Sequence, residues 1–364
     1  MPATENTDAA TTSAPSTTES IEVVLPRITD PDGLELRDQT PPTPGAGQVL
    51  VRMEATGISF AEQQMMRGRY YDQPAFPFVP GYDLVGRVEA VGAGVDPSTL
   101  GRRVAAVTKT GGWASRVVVD AADLLPVPDD IDAATVEALL VNGITAYKML
   151  HAMARPRAGR TVVVLGANGG VGDLLVQLAR HDGLRVLGTA SPQHHEALRA
   201  RSVEPVDYRA PDAYDQLRLL APEGVDAVFD HIGGPGLRES WRLLRRGGRL
   251  VSYGSVATVN DRGNPRIPVL KLILRLALWS ALPDGRSGGF FDFWAGRRDR
   301  SRFNAGQREA VDALLELVRL GAIRPQIAER YPLSQVREAM HAVESRSHAG
   351  KIVLLGGAHD AAGG

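Results

Sequence analysis

The chain has 364 residues, 43% hydrophobic and 23% charged, with a formal net charge of -1; this is the balance of a globular protein with room for about two cores. A charge so near zero excludes the basic footprint that nucleic-acid binding requires. The complete absence of cysteine excludes disulfides, thiolate catalysis and cysteine-ligated zinc.

Residues 1–20, MPATENTDAATTSAPSTTES, contain no apolar run and carry acids where a targeting peptide starts basic. They read as a disordered tail, and the chain as cytoplasmic. From Ile21 to about Asp130, short β-type runs at 49–54, 84–91, 103–107 and 115–119 alternate with turn residues such as Pro41-Pro42, Gly92-Ala93-Gly94 and Gly111-Gly112. That pattern predicts a compact, mainly β domain. Within it lie a helical patch near 60–66 and an aromatic, proline-rich stretch from Tyr70 to Gly81.

Residues 132–153 read as helical and lead into the stretch around which the chain is organised, TVVVLGANGGVGDLLVQLARHDGLRVLGTAS at 161–191. An apolar run, a glycine turn, a helix with Leu174, Leu175 and Leu178 at helical spacing, and a second apolar run make a strand-turn-helix-strand unit. The turn Ala167-Asn168-Gly169-Gly170-Val171-Gly172 is G-x-G-x-x-G with alanine at the first glycine. Gly169 lets a backbone approach a pyrophosphate, Gly172 lets the helix pack close, and the helix N-terminus faces the phosphates. Beyond Ser191, strand-like and helical segments keep alternating as far as 253, which predicts a doubly wound parallel sheet and an α/β fold class.

The apolar segment 269–282, VLKLILRLALWSAL, is interrupted by Lys271 and Arg275 and is shorter than the ~20 residues that span a bilayer. It reads as an amphipathic helix packed on the protein's own core or at a subunit interface, with a membrane surface as the alternative. The run from Gly288 to Trp294 suggests an edge strand; 308–320 is helical, and 351–355 is a closing strand.

In chain order the motifs GISFAEQQM, FPFVPGYDLVGRVEAVGAGV, GRRVAAV, GGWASRVVV, LLVNGITAYKML, GANGGVG, VLGTAS, VDYR, GVDAVFDHIGG, LLRRGGRLVSYG and GKIVLL resemble the medium-chain dehydrogenase/reductase superfamily. Within it the chain is most similar to the zinc-free quinone oxidoreductase branch, with the vesicle amine transport protein relatives. The resemblance implies a GroES-like substrate domain at 21–143, a Rossmann cofactor-binding domain at 144–295, a C-terminal segment at 296–357 completing the first, and a tail at 358–364. It also implies an active site between the two domains and a homodimer, to which the Phe290 to Trp294 run either contributes or instead lines the cleft.

Zinc enzymes of this superfamily carry a cysteine and a histidine where this chain has Ser59 and Tyr82, so no metal site is expected. Without a Lewis acid, alcohol oxidation gives way to hydride transfer onto an electron-poor double bond. The resemblance places Tyr70 near the substrate as a proton donor, with Tyr71 as an ambiguous neighbour, and Ser59 at a substrate-facing position or in a helix cap. It brings Asn142 and Thr145 toward the nicotinamide and its ribose, Thr145 otherwise packing its helix. Enoyl reductases of polyketide and fatty-acid synthesis carry a catalytic lysine where this chain has Ser255.

An NAD-preferring site ends its second strand with an acid. Here that strand ends Gly188-Thr189-Ala190-Ser191, which leaves a 2'-phosphate unopposed and favours NADPH. His194 stands where relatives carry a lysine for that phosphate, unless it and His195 simply begin a helix. By resemblance Tyr208 flanks the adenosine phosphate, and Lys351, in GKIVLL, joins the cofactor-binding set. The expected activity is NADPH-dependent reduction of quinones or α,β-unsaturated carbonyl compounds, the partner being a small electron-poor molecule. The alternatives are a nucleotide-binding interaction or membrane-associated protein, and a biosynthetic tailoring reductase or cyclase.

Overall fold

The structure is a computed structural model that describes residues 20–254, 263–345 and 349–357. Residues 1–19 of the expected tail at 1–20, the tail at 358–364, and Ser255 lie outside the described residues. Strands β1 (Ile21–Val24) and β2 (Glu35–Asp38) form an antiparallel ribbon. Five more follow: β3 (Gln48–Gly57), β4 (Asp83–Val91), β5 (Arg103–Val107), β6 (Arg116–Asp120) and β7 (Leu125–Pro126). Then come β8 (Thr161–Val164), β9 (Arg185–Ala190), β10 (Val203–Asp207), β11 (Val225–Asp230), β12 (Leu244–Ser252) and β13 (Ser287–Phe290), and finally β14 (Ile327–Pro332) and β15 (Lys351–Leu355).

The two C-terminal strands return to the first sheet, whose order is β14-β15-β3-β4-β5-β7 with β6 also paired to β3. Strand β15 runs antiparallel to β3 through Val353–Gly57, Leu354–Thr56 and Leu355–Ala55. At Gly86 a Cβ would lie 2.2 Å from the Arg52 carbonyl oxygen, so only glycine lets β3 and β4 approach so closely.

The second sheet has the order β10-β9-β8-β11-β12-β13 and every pair is parallel. Val162, Val163 and Val164 of β8 are fully buried, because helices cover both faces of this sheet. The strand order reverses between β8 and β11. That switch point opens a crevice beyond the strands' C-terminal ends, where ligands of such sheets sit. The edge strand is β13, ending at Phe290, so the predicted edge strand is shorter than the whole Gly288 to Trp294 run.

Between the sheets runs a helical segment over 133–154, with π-helical turns at Leu139–Gly143 and Met149–Ala154. Its buried side chains share one core with Ala55, Val85 and Ala105 of the first sheet and Val162, Val164 and Phe229 of the second. The helix Arg266–Ser280 packs one face on the protein's own core, with Leu276 buried and Leu272 and Trp279 half-buried against the cluster that holds Trp241 and Leu250, while Leu270, Leu274 and Leu278 on its other side are exposed.

Candidate functional site

The glycine turn joins β8 to the helix Gly170–His181. Its left-handed residue is Gly166, with φ of +69°, so the tight turn begins one residue before the alanine read as the first position of the motif. Gly166 is the residue that the motif register overlooked. Ala167 is buried and donates its N–H to the Thr189 carbonyl at 2.9 Å, while Thr189 Oγ1 accepts from Gly166 N at 3.0 Å. Thr189 therefore shapes the turn from the neighbouring strand.

The other glycines divide by what surrounds them. A Cβ on Gly172 would lie 2.1 Å from the Gly166 oxygen, so helix and strand touch there. A Cβ on Gly170 would meet Asn142 Nδ2 at 2.4 Å, which puts the buried Asn142 amide directly against the turn. A Cβ on Gly169, by contrast, would find only the Gly166 oxygen at 3.4 Å, an ordinary contact. The protein itself does not require glycine at 169; the space beside it is open to something else. Asn168 accepts a hydrogen bond through its carbonyl from Gly350 N at 3.2 Å, and Val171 begins the helix half-exposed.

Asn142 lies in the first π-helical turn, a geometry that displaces side chains from regular helical register and often marks functional sites. Thr145 follows on the same helix, also buried. Asn142 and the glycine turn are thus brought together.

At the end of β9, Ala190 pairs in register with Asp207 of β10, so Ser191 and Tyr208 follow directly beyond adjacent strand ends. Ser191 is buried; Tyr208 is half-exposed with the Arg209 guanidinium 5.5 Å from its ring centroid. No carboxylate ends β9. His194 sits in a short 3-10 turn, its pKa lowered by burial and by neighbouring His195, while His195 Nε2 contacts the Ala190 carbonyl at 3.1 Å. His231, just past β11, lies so near Gly166 that a Cβ there would meet its Cε1 at 2.5 Å.

Lys351 is placed differently from the other predicted cofactor residues. Its backbone starts β15 beside the glycine turn, but its buried ammonium turns inward to Glu137 Oε1 at 3.2 Å.

Across the crevice, Ser59 is the N-cap of the helix Phe60–Met66. Its hydroxyl donates to Glu62, and its oxygen accepts from Ala61 N at 3.1 Å. Both functions of that hydroxyl are engaged in a capping box, so the structure favours the cap over substrate contact. Tyr70 and Tyr82 are nearly fully buried, with their hydroxyl oxygens 2.6 Å apart. Trp294 Nε1 donates to the Tyr82 hydroxyl. Tyr71 donates to Asp292 Oδ1 at 3.1 Å, and its ring packs against Tyr70 with centroids 4.8 Å apart. Burial pushes the pKa of all three phenols well above the ordinary range, so each stays protonated. Phe293 and Trp294 pack on Tyr82, and Trp294 stacks on Phe303. The run after β13 therefore crosses to the first sheet and walls the crevice.

The two positions that bind zinc in zinc dehydrogenases thus hold a capping hydroxyl and a phenol in an aromatic chain. Among the described residues, no group of three or more histidines and acids is arranged to hold a metal ion.

Residues 45–129 match the alcohol dehydrogenase GroES-like domain, and 202–354 match a zinc-binding dehydrogenase domain. The chain is 33% identical over 334 residues to the synaptic vesicle membrane protein VAT-1 homolog of Rattus norvegicus, covering 89% of this chain and 80% of that one. It is 30% identical over 333 residues to the quinone oxidoreductase of Homo sapiens, covering 89% and 94%. Among solved structures, mycobacterial Rv1454c complexed with NADPH superposes with a TM-score of 0.78 at 27% identity, covering 92% of this chain and 99% of that one. On these matches, and on the Ser59 and Tyr82 positions, the chain belongs to the zinc-free quinone oxidoreductase branch of the medium-chain dehydrogenase/reductase superfamily, together with the VAT-1 homologues.

Proposed function

We propose that the protein is an NADPH-dependent reductase of quinones or α,β-unsaturated carbonyl compounds. The observation that carries this reading is the chain Trp294–Tyr82–Tyr70, a run of hydrogen-bond donors standing where zinc relatives activate an oxygen. Bound NADPH supplies the hydride to an electron-poor carbon. The residues that fit it are Gly166 to Gly172, with the open space at Gly169, the N-terminus of the following helix, Asn142 and Thr145, and Thr189 to Ser191 with His194 and Tyr208 beyond the strand ends. An acid-free end to β9 supports NADPH over NADH, and a structural relative carries NADPH.

Negative charge develops on the substrate's conjugated oxygen, and a positioned donor stabilises it. Trp294 N–H donates into the Tyr82 oxygen, so the two phenols have two protons and one mutual hydrogen bond between them. One O–H is left to point at that oxygen and to deliver the proton that completes the reduction. The surrounding aromatic rings exclude water and strengthen the contact. Purified protein should oxidise NADPH when offered a panel of quinones and enones; binding of NADPH without turnover of any member would overturn the reductase reading.

A second reading, association with a membrane surface, is favoured by one observation. The helix Arg266–Ser280 carries Arg266, Lys271 and Arg275, no acid, and Ile267, Leu270, Ile273, Leu274 and Leu278 exposed. Two copies packed about a twofold axis would set like charges together, whereas an anionic lipid surface matches both charge and apolar area. No helix among the described residues is long and apolar enough to cross a membrane. Sedimentation with phosphatidylserine vesicles that is lost in Lys271→Glu/Arg275→Glu supports this reading; no sedimentation overturns it.

A further inference from the structure

We propose that Lys351 is a positioning residue for the nucleotide: it fixes the glycine turn against the substrate half of the crevice without touching the cofactor through its side chain. The inference rests on the reading that the glycine turn binds NADPH.

The main chain supplies the first half. Gly350 N donates to the Asn168 carbonyl at 3.2 Å, and Gly350 pairs with Gly169 as an isolated parallel bridge. The residue after it, Lys351, donates its N–H to the Gln326 carbonyl at 2.8 Å. Gly350 has φ of +101°, and a Cβ there would lie 2.3 Å from the Gln326 oxygen. The approach of this backbone to the turn is therefore tight on both sides. It comes from a strand of the opposite sheet, so the turn's position depends on where β15 begins.

The side chain supplies the second half. Lys351 Nζ lies 3.2 Å from Glu137 Oε1, both side chains being almost wholly buried. Glu137 belongs to the helical segment that carries Asn142 five residues later, and Asn142 touches Gly170. A Cβ on Gly57 would meet Glu137 Oε1 at 1.9 Å and Lys351 Cε at 2.4 Å, so the pair occupies the space a larger residue would fill. Glu62, which accepts from Ser59 N at 2.8 Å, and Asp83, which accepts from Val141 N at 3.2 Å, are the other acids whose charges act on Lys351. Burial opposes the charge on Lys351, but these carboxylates raise its pKa and keep the ammonium charged; burial raises Glu62 and Glu137. One cation thus ties β15 to the helix behind the turn, while the adjacent amide holds the turn from the front.

The test separates positioning from stability. Lys351→Met leaves Glu137 buried without its counter-ion and should lower both the melting temperature and the affinity for NADPH. Lys351→Met/Glu137→Gln removes the uncompensated charge and should restore melting while NADPH affinity stays weakened about tenfold, because the tie is gone. Gly350→Ala should weaken NADPH binding with the buried charges intact. Each variant should lower kcat more than it raises KM for the electron-poor substrate. If the Lys351→Met protein does not fold, the double variant and Gly350→Ala carry the test. Wild-type affinity in both of those overturns the inference; affinity that recovers along with melting temperature in the double variant also overturns it. Failure of the wild-type protein to bind NADPH instead overturns the underlying reading, and this inference with it.

Discussion

The Tyr70 hydroxyl lies 2.6 Å from the Tyr82 hydroxyl, and Trp294 N–H closes the chain on the far side of Tyr82. Tyr82→Phe would leave both neighbours buried without that partner, at a cost of about 1–3 kcal/mol of stability. Turnover should fall about 10²-fold, the contribution of a positioned proton donor, while NADPH affinity stays unchanged. Tyr70→Phe should lower kcat with less effect on melting, because Trp294 keeps its acceptor. Steady-state kinetics with nucleotide titration on the same preparations check both outcomes.

Ser59→Ala should behave as the loss of a helix cap. The expected cost is about 1 kcal/mol, read by thermal or chemical unfolding, with kcat within about twofold of wild type because the hydroxyl is engaged by Glu62 and Ala61. A kcat loss as large as that of Tyr82→Phe would restore a catalytic role to Ser59.

Gly172→Val and Gly169→Ala should separate packing from ligand space. The former drives a side chain into the Gly166 carbonyl and should abolish nucleotide binding together with much of the stability. The latter meets ordinary contact distances, so its melting temperature should stay near wild type. Its NADPH affinity should nevertheless fall, because the added methyl occupies the space proposed for the pyrophosphate. Calorimetric titration and thermal unfolding of the two variants measure this contrast.

His194 sets an expected pH dependence. Burial and His195 lower its pKa, so the folded protein takes up that proton at lower pH than the unfolded chain, and His194 costs stability as acid protonates it. A bound 2'-phosphate favours the imidazolium, so NADPH affinity should rise relative to NADH as pH falls from about 8 to about 6. In His194→Ala the histidine contribution to that slope should vanish. Fluorescence titration of both nucleotides across this range checks the sign.

Periodicity made the parallel sheet and its helices legible, since β8 is a buried valine run and the Gly170–His181 helix places leucines on one face. The glycine turn was legible as a motif but not in register: a positive φ belongs to Gly166, and spacing alone does not distinguish it from Ala167. Ser59-Phe60-Ala61-Glu62 has the local signature of a capping box, but the resemblance left the substrate-facing role equally open, and the hydrogen bonds of the folded chain favour the cap. Tyr82–Trp294 and Glu137–Lys351 were beyond reach, because residues more than two hundred positions apart meet only through the return of the C-terminal strands and the crossing after β13. The helix Arg266–Ser280 showed its composition in the sequence; which of its faces packs was decided by tertiary context.

The central claim is that NADPH bound at the glycine turn reduces an electron-poor substrate beside the tyrosine pair. Single-turnover oxidation of NADPH deuterated at C4, followed against a quinone and an enone, tests it most directly. The account predicts substrate-dependent oxidation, slowed by deuterium on one face of the nicotinamide and further slowed in Tyr82→Phe. Tight NADPH binding with no oxidation by either substrate would contradict it.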